Sequence, residues 1–129
     1  LAPPQVLTIW VALDYIDDEN GCIHYVRGSH RLPIREHRLS STLGFSQHIP
    51  DYSQSDMDSE SKFTCLPGDA VIHHGNTIHR AGPNMTKNRQ RRALAMVFRG
   101  KSASRDSQRF NTYLESSNQQ QASFGIESN

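Results

Sequence analysis

The segment Gly68–Asn84, GDAVIHHGNTIHRAGPN, decides the fold class of this 129-residue chain. An apolar stretch that ends at His74 is typical of a short strand, and a Gly-Asn turn follows it. The residues around His79 continue as another short strand until the next turn, Gly-Pro-Asn. The segment KFTCLPGDA precedes this region and the strongly alternating RRALAMVFRG follows it. Short strands separated by tight turns predict an all-β body.

Nearer the N-terminus, Val6–Asp14 (VLTIWVALD) is rich in β-branched and aromatic residues and is predicted to be a strand. Successive side chains of a strand point to opposite faces, so the faces can be compared. One face is purely aliphatic and consists of Leu7, Ile9, Val11 and Leu13. The other face combines the ring of Trp10 with small neighbours, which leaves room for a pocket. A turn at Asp17–Gly21 and the alternating stretch CIHYVRGSHR predict a second strand, paired with the first as a hairpin.

The sequence predicts one domain with a long excursion and a polar tail. Residues 1–100 are expected to form the β core. Residues 32–61 are polar and punctuated by Pro and Gly, which predicts a surface excursion with one short helix and makes it the candidate lid. Residues 101–129 are dominated by Ser, Gln and Asn, so we expect a loosely ordered tail. The candidate anchors of that tail are Phe110, Tyr113 and Leu114.

Composition argues against several classes of protein. Fourteen basic and thirteen acidic side chains give a net charge of +1, which disfavours nucleic-acid binding through bulk charge. No run of about 18 or more apolar residues is present, so no membrane-spanning helix is expected. Two cysteines, Cys22 and Cys65, are too few for a disulfide framework. These features are typical of a protein of the cytoplasm.

Three histidines, His73, His74 and His79, lie within the opening segment and are candidate metal ligands. Adjacent residues of a regular strand point to opposite faces, so His73 and His74 cannot both face one ion. A small cupin-like metal site that uses either of them with His79 therefore stays open, as does a surface role for each histidine.

An arginine cluster, Arg89, Arg91 and Arg92, opens the last alternating stretch. Arg91 shares its face with small residues, Ala93, Ala95 and Val97, whereas Arg92 shares its face with the bulkier Leu94, Met96 and Phe98. An inward-facing arginine about a dozen residues after a metal ligand suits an acidic cosubstrate that chelates the metal and presents a carboxylate to the guanidinium.

Three segments in this order resemble the phytanoyl-CoA dioxygenase family of Fe(II)- and 2-oxoglutarate-dependent oxygenases: LTIWVALDYIDDENGCIHYVRGSHR, PGDAVIHHGNTIHRAGPN and RRALAMVF. The resemblance spans roughly residues 6–98 and implies a double-stranded β-helix, also called a cupin-like jelly roll. It implies that His79 is the distal iron ligand, that Arg91 pairs with the far carboxylate of 2-oxoglutarate, and that Trp10 lines the cosubstrate pocket. The implied cofactors are Fe(II) and 2-oxoglutarate, and the implied partner is a small-molecule substrate, with no nucleic acid or membrane.

The family also carries iron on a His-x-Asp pair, and no His-x-Asp or His-x-Glu occurs in these 129 residues. The resemblance implies that this pair precedes the Trp10 strand, so we expect it upstream of Leu1, in a β-helix that is incomplete at its N-terminus. The chain is then a C-terminal portion of a hydroxylase. The alternative is a non-catalytic β-helix module for binding or assembly that has lost its iron site. The resemblance implies N-terminal helices over the aliphatic face, which consists of Leu7, Ile9, Val11 and Leu13. In the isolated chain we expect this face to be exposed apolar surface, which another chain, such as a second copy in a homo-oligomer, or a rearrangement would cover.

Overall fold

The computed structural model describes residues 5–42 and 47–125. The strands are β1 (Val6–Ala12), β2 (Ile23–Val26), β3 (Arg38–Leu39), β4 (Gln47–His48), β5 (Glu60–Phe63), β6 (Ala70–His74), β7 (His79–Ala81) and β8 (Ala93–Arg99). The helices are α1 (Gln54–Asp58), α2 (Ser107–Ser123) and the single 3₁₀ turn Ser29–Arg31. The chain divides into two compact units, Leu1–Pro33 with Ser53–Ala103, and Ile34–Tyr52 with Ser104–Asn129.

The first unit contains two antiparallel three-stranded sheets. One has the strand order β6-β1-β8 and the other has the order β5-β2-β7. The central strand of the second sheet, β2, is buried along its whole length. The predicted all-β body is therefore confirmed, including the four short strands expected after residue 60.

The predicted hairpin between β1 and β2 is wrong. Strand β1 pairs with β6 on one edge and with β8 on the other, so neither edge is left for β2. Strand β2 instead lies between β5 and β7. The segment 13–22 is consequently a crossover from one sheet to the other.

The core cluster of this unit lies along that crossover. Ala12 and Ile16 are completely buried, and Cys22 and Cys65 are almost so, with Trp10 and Val71 packed against them. A backbone bridge between Ile16 and Cys65 connects the two sides of the core. Both cysteines are free thiols.

The outer face of β1 is partly open. Leu7 and Leu13 are 39% and 51% exposed, which confirms the expected exposed apolar surface at these two positions, while Ile9 and Val11 are half-buried. Cross-strand neighbours on β8 extend this apolar surface, and they are Phe98, Met96 and Leu94. Its coverage by a second copy of the chain stays a prediction.

The second unit contains the β3-β4 pair and α2. Helix α2 differs from the loosely ordered tail that the polar composition predicts. The carboxylate of Asp106 caps its first turn by accepting a hydrogen bond from the backbone N–H of Arg109. The side-chain amide of Gln120, which is buried, donates to the carbonyls of Ser40 and Thr42, both at 2.9 Å. These polar contacts hold the helix.

The expected anchors of the tail have a smaller role. Tyr113 and Leu114 are 46% and 41% exposed, and Phe110 lies under the guanidinium of Arg105 at 4.1 Å. Over the described residues, no helix is both long enough and apolar enough to cross a membrane.

Candidate active site

The inner face of the β6-β1-β8 sheet is the face on which Trp10 packs towards the core. Trp10 lies between Val71 of β6 and Ala95 of β8. In the next inward-facing row, Thr8 lies between His73 and Val97. The small Ala95 leaves space beside the indole, as the alternation of the sequence predicts.

His79 is the first residue of β7, and its ring is exposed. Its Nδ1 lies 2.8 Å from the carbonyl oxygen of Thr77. A carbonyl can only accept, so in the neutral ring this contact places the proton on Nδ1 and leaves the Nε2 lone pair available. Metal-binding histidines are commonly oriented in this way by a hydrogen bond from the other ring nitrogen.

The turn Gly28-Ser29-His30 holds the loop before His79. The hydroxyl of Ser29, which is buried, donates to the carbonyl of Val26 at 2.8 Å and accepts from the backbone N–H of Ile78 at 2.8 Å. This turn therefore positions the residue directly before His79, a role that the sequence alone did not indicate.

His73 is the histidine that lies next to His79. The centroids of the two rings are 4.7 Å apart, and the hydroxyl oxygen of Tyr25 is 2.8 Å from His73 Nδ1. Burial, with a smaller contribution from His79, lowers the pKa of His73 to about 4, and burial raises the pKa of Tyr25 to about 12. Both side chains are therefore uncharged at neutral pH.

His74 points away from this group. Its Nδ1 accepts a hydrogen bond from the backbone N–H of Asn76 at 3.1 Å, and its ring lies 6.1 Å from that of His30. The sequence left either His73 or His74 open as a companion of His79 in a cupin-like site, while the family resemblance allowed at most His74 a supporting position. The register between β1 and β6 distinguishes the two histidines. His73 lies opposite Thr8 and therefore on the face of Trp10, whereas His74 lies opposite Leu7 and therefore on the other face.

Two of the three clustered arginines are committed to ion pairs. Arg89 contacts Asp17 at 3.0 Å and Glu19 at 3.2 Å. Arg92 contacts Asp14 at 2.7 Å and, through this hydrogen bond, lowers the pKa of Asp14 to about 2. These guanidinium groups are already neutralised by carboxylates.

Arg91 differs from its two neighbours. It is half-buried and makes no hydrogen bond or ion pair with any residue in the part of the chain that the structure describes. It lies two residues before β8, which begins at Ala93, so the arginines precede the strand that they were expected to open. A half-buried guanidinium without a carboxylate suits an anionic ligand.

A buried asparagine holds the backbone next to Arg91. The side-chain amide of Asn20 donates to the carbonyl of Gln90 at 3.0 Å and to the carbonyl of Tyr15 at 2.8 Å. Asn20 is completely buried. The position of Arg91 thus depends on a residue that is distant in sequence.

The structure brings His79 together with His73 and Tyr25, and it puts Trp10 on the same inner face as His73. Arg91 lies before the strand that borders Trp10. The available imidazole nitrogen of His79 is suitable for a metal ion. The guanidinium of Arg91, which has no partner among the residues that the structure describes, is suitable for a carboxylate. The donor set is partial, because the 129 residues contain no His-x-Asp or His-x-Glu pair.

Comparison with known proteins indicates the same family as the sequence motifs. Residues 1–93 match the family model described as phytanoyl-CoA dioxygenase. The iron/alpha-ketoglutarate-dependent dioxygenase penM of Penicillium thymicola is 32% identical over 97 residues, which cover 75% of this chain and 26% of that protein. The chain spans about a quarter to a third of the length of the curated relatives that it matches.

Two solved structures extend the comparison. EvdO2 of Micromonospora carbonacea var. aurantiaca, complexed with 2-oxoglutarate, has 30% identity and a TM-score of 0.60, covering 77% of this chain and 42% of that one. The epimerase SnoN, in complex with Fe3+, alpha ketoglutarate and nogalamycin RO, has 28% identity and a TM-score of 0.56, covering 74% and 36%. With the two antiparallel sheets, these neighbours confirm the predicted all-β, double-stranded β-helix fold.

Proposed function

The chain belongs to the phytanoyl-CoA dioxygenase family, and from this premise we propose that it carries part of an Fe(II)- and 2-oxoglutarate-dependent oxygenase site. In this proposal His79 supplies Nε2 to the iron and Arg91 pairs with the far carboxylate of 2-oxoglutarate. Trp10 lines the wall between them. The iron, when bound, couples O2 to the conversion of 2-oxoglutarate to succinate and CO2 while a substrate C–H bond becomes C–OH.

One observation carries the proposal: Arg91 alone in its cluster lacks a carboxylate partner among the described residues. A half-buried cation without a counter-charge is unfavourable unless a ligand or solvent compensates it. A planar guanidinium binds a carboxylate through two parallel hydrogen bonds, which fixes both position and orientation. The dicarboxylate 2-oxoglutarate suits this arrangement.

The protein's own residues would orient the cosubstrate and its metal. Thr77 holds the proton of His79 on Nδ1, which keeps Nε2 available for the metal. Asn20 fixes the carbonyl of Gln90 and thereby the start of the Arg91 backbone. The neutral His73 and Tyr25 add polar groups beside His79 without adding charge. The substrate is proposed to be a small molecule, and residues 32–61 stay the candidate lid.

The chain offers a selective probe for the proposed pocket, because Trp10 is its single tryptophan. The test is an anaerobic titration of the chain with Fe(II) and then 2-oxoglutarate, followed by tryptophan fluorescence. We expect a saturable change for the unmodified chain. Arg91→Ala should weaken 2-oxoglutarate binding by about ten- to hundredfold, since a hydrogen bond to a charged partner contributes about 1.5–3 kcal/mol.

Arg92→Ala is the matched control, because Arg92 lies next in sequence but is paired with Asp14. It should leave the 2-oxoglutarate affinity nearly unchanged. Equal weakening by both variants would show a general charge effect and contradict the role of Arg91. His79→Ala should abolish the Fe(II)-dependent part of the signal.

The alternative, a non-catalytic binding or assembly module, is favoured by the lack of a His-x-Asp or His-x-Glu pair in this sequence. It makes a different prediction for the same titration. A folded chain that gives no fluorescence change with Fe(II) and 2-oxoglutarate, and an unchanged result after His79→Ala, would support the module and refute the oxygenase site.

A further inference from the structure

A second group of metal-ligand side chains lies apart from His79, in the turn that precedes β2 and in β2 itself. Asp18, Cys22 and His24 each offer one ligand atom within 4.8 Å of the other two, and they are the one such group of three in the described residues. Asp18 Oδ1 is 3.2 Å from Cys22 Sγ and 3.9 Å from His24 Nε2. Cys22 and His24 are 1% and 6% exposed, whereas the Asp18 side chain is 60% exposed. The group is therefore buried on one side and reachable from solvent on the other.

The backbone preorganises this group. The carbonyl of Asp17 accepts hydrogen bonds from the N–H of Gly21 at 3.1 Å and from the N–H of Cys22 at 2.8 Å. These bonds close the turn and bring residues 18 and 22 to the same side. Strand β2 then places the side chain of His24 two residues beyond Cys22, on the same face of the strand.

The orientation of His24 is an independent observation that points to a ligand. Its Nδ1 lies 2.7 Å from Oε2 of Glu60, a carboxylate whose side chain is 6% exposed. Arg80 holds that carboxylate with two hydrogen bonds, at 2.6 and 2.8 Å. In the neutral ring, the carboxylate accepts from Nδ1–H, and the Nε2 lone pair is then directed towards the other two side chains. Metal-bound histidines are typically oriented by such a carboxylate.

The Asp18 carboxylate does not satisfy that lone pair, because a carboxylate oxygen is itself an acceptor. The contact, at 3.9 Å, is also longer than a hydrogen bond. Lys62 donates to the other carboxylate oxygen of Asp18 at 2.9 Å, so Oδ1 is the oxygen that faces Cys22 and His24. The three ligand atoms thus converge on one point, and the Cys22 thiol donates to Asp18 Oδ1 at 3.2 Å.

We propose that Asp18, Cys22 and His24 bind a divalent transition metal of the zinc class. Thiolate, imidazole and carboxylate are the three ligand types that Zn2+ takes in proteins, and a site with three protein ligands keeps a fourth position for water. The ligand set is also one that Co2+ accepts. On binding, the Cys22 thiol gives its proton to solvent and forms the sulfur–metal bond, with no change of oxidation state. This site shares no residue with the proposed oxygenase site and does not depend on it.

Cobalt titration tests the proposal directly. The chain is freed of metal with a chelator and titrated with Co2+, and near-ultraviolet absorption is followed, because a thiolate bound to Co2+ gives a charge-transfer band that histidine and carboxylate ligands do not give. We expect this band to saturate at equimolar cobalt and to disappear when Zn2+ is added. Cys22→Ser should abolish it.

Two variants serve as matched controls. Cys65→Ser changes the other buried cysteine and should keep the band. His79→Ala removes the candidate iron ligand and should also keep it, which separates this site from the proposed oxygenase site. Glu60→Gln should weaken cobalt binding by about 10–100-fold, as expected for loss of the carboxylate that orients a metal-bound histidine.

Asp18→Asn keeps the proposal testable if Cys22→Ser does not fold, because the Asp18 side chain is exposed. It should weaken cobalt binding at least as strongly as Glu60→Gln. Lys62→Ala should instead tighten binding, since it removes a competing cation from the same carboxylate. The proposal is overturned if the unmodified chain gives no thiolate–cobalt band, if the band persists in Cys22→Ser, or if Asp18→Asn binds cobalt as tightly as the unmodified chain.

Discussion

Asn20 joins the crossover between the two sheets to the backbone just before Arg91, and Asn20→Asp tests that connection. The side chain is completely buried. Its amide nitrogen donates to the carbonyls of Tyr15 and Gln90, at 2.8 and 3.0 Å, and its oxygen accepts from the N–H of Asp17 at 2.8 Å. Aspartate has almost the same shape but cannot supply the two N–H donors.

The size of the effect follows from these contacts. The bond from the N–H of Asp17 survives in the variant, because a carboxylate oxygen can accept it. The carbonyls of Tyr15 and Gln90 each lose a donor and face a carboxylate oxygen instead. A buried polar group left without its partner costs about 1–3 kcal/mol. The Tyr15 carbonyl keeps a long bond from Nη2 of Arg89, at 3.4 Å, so it contributes less than the Gln90 carbonyl. We therefore predict a loss of about 1–5 kcal/mol in the free energy of unfolding. Protonation of the carboxyl group restores one donor and places the loss near the lower end.

Urea unfolding, followed by circular dichroism, measures this loss. Asn84→Asp is the matched control, since the amide of Asn84 also donates to a backbone carbonyl, that of Arg89 at 2.7 Å, but at an exposed position where water replaces it. The control should lose less than about 1 kcal/mol. Equal losses in the two variants would refute the reasoning, as would a loss below about 1 kcal/mol for Asn20→Asp.

Three further predictions concern the same unit. Gly21→Ala should lower the free energy of unfolding by about 1–3 kcal/mol more than Gly68→Ala. Both glycines have a positive φ, 94° and 95°, so the backbone cost is similar. A Cβ at Gly21 would overlap the carbonyl oxygen of Gly82, whereas a Cβ at Gly68 meets open space. Equal losses in urea unfolding would contradict this packing argument. Ile16→Ala should cost about 2–5 kcal/mol by the same assay, since Ile16 is completely buried, and a loss under about 1 kcal/mol would contradict that position. Because the pKa of Asp14 is lowered from 3.8 to about 2, its contribution to stability is complete above pH 3.8 and is lost as the pH falls through about 2. In urea unfolding at different pH values, Asp14→Asn should remove this part of the loss of stability in acid. An unchanged pH dependence of stability would contradict the Asp14–Arg92 ion pair.

The local alternation of side chains along the sequence was sufficient to predict much of the fold. The alternation in residues 6–14 and 93–99 predicts strands and separates an aliphatic face from the face of Trp10, and the register of β1 with β8 agrees with that separation. The family resemblance also comes from short motifs, and the match over residues 1–93 confirms it. The assignments of His79, Arg91 and Trp10 stay predictions that the titrations above test.

Local pattern failed where the outcome depends on partners that are distant in sequence. The hairpin was wrong because an alternating strand pairs equally well with several others, and β1 is already flanked by β6 and β8. Ser107–Ser123 of the expected tail form a helix, which is held where the carbonyls of Ser40 and Thr42 accept from Gln120, a contact that composition does not reveal. The residue that anchors the helix is the buried Gln120 and not one of the aromatic side chains expected from the sequence.

The sequence by itself determined the strand-forming segments, the two faces of β1, the family and the chemical groups available for a site. These properties follow from the period of two along a strand and from the order of short motifs, both of which are local. Only the tertiary structure decided that His73 and not His74 accompanies His79, and that a cysteine and a histidine meet Asp18. It also decided that, within residues 5–42 and 47–125, Arg91 lacks a carboxylate while Arg89 and Arg92 have one. Each of these outcomes depends on the register between strands and on ion pairs formed across the chain, and many such pairings are compatible with the same local pattern.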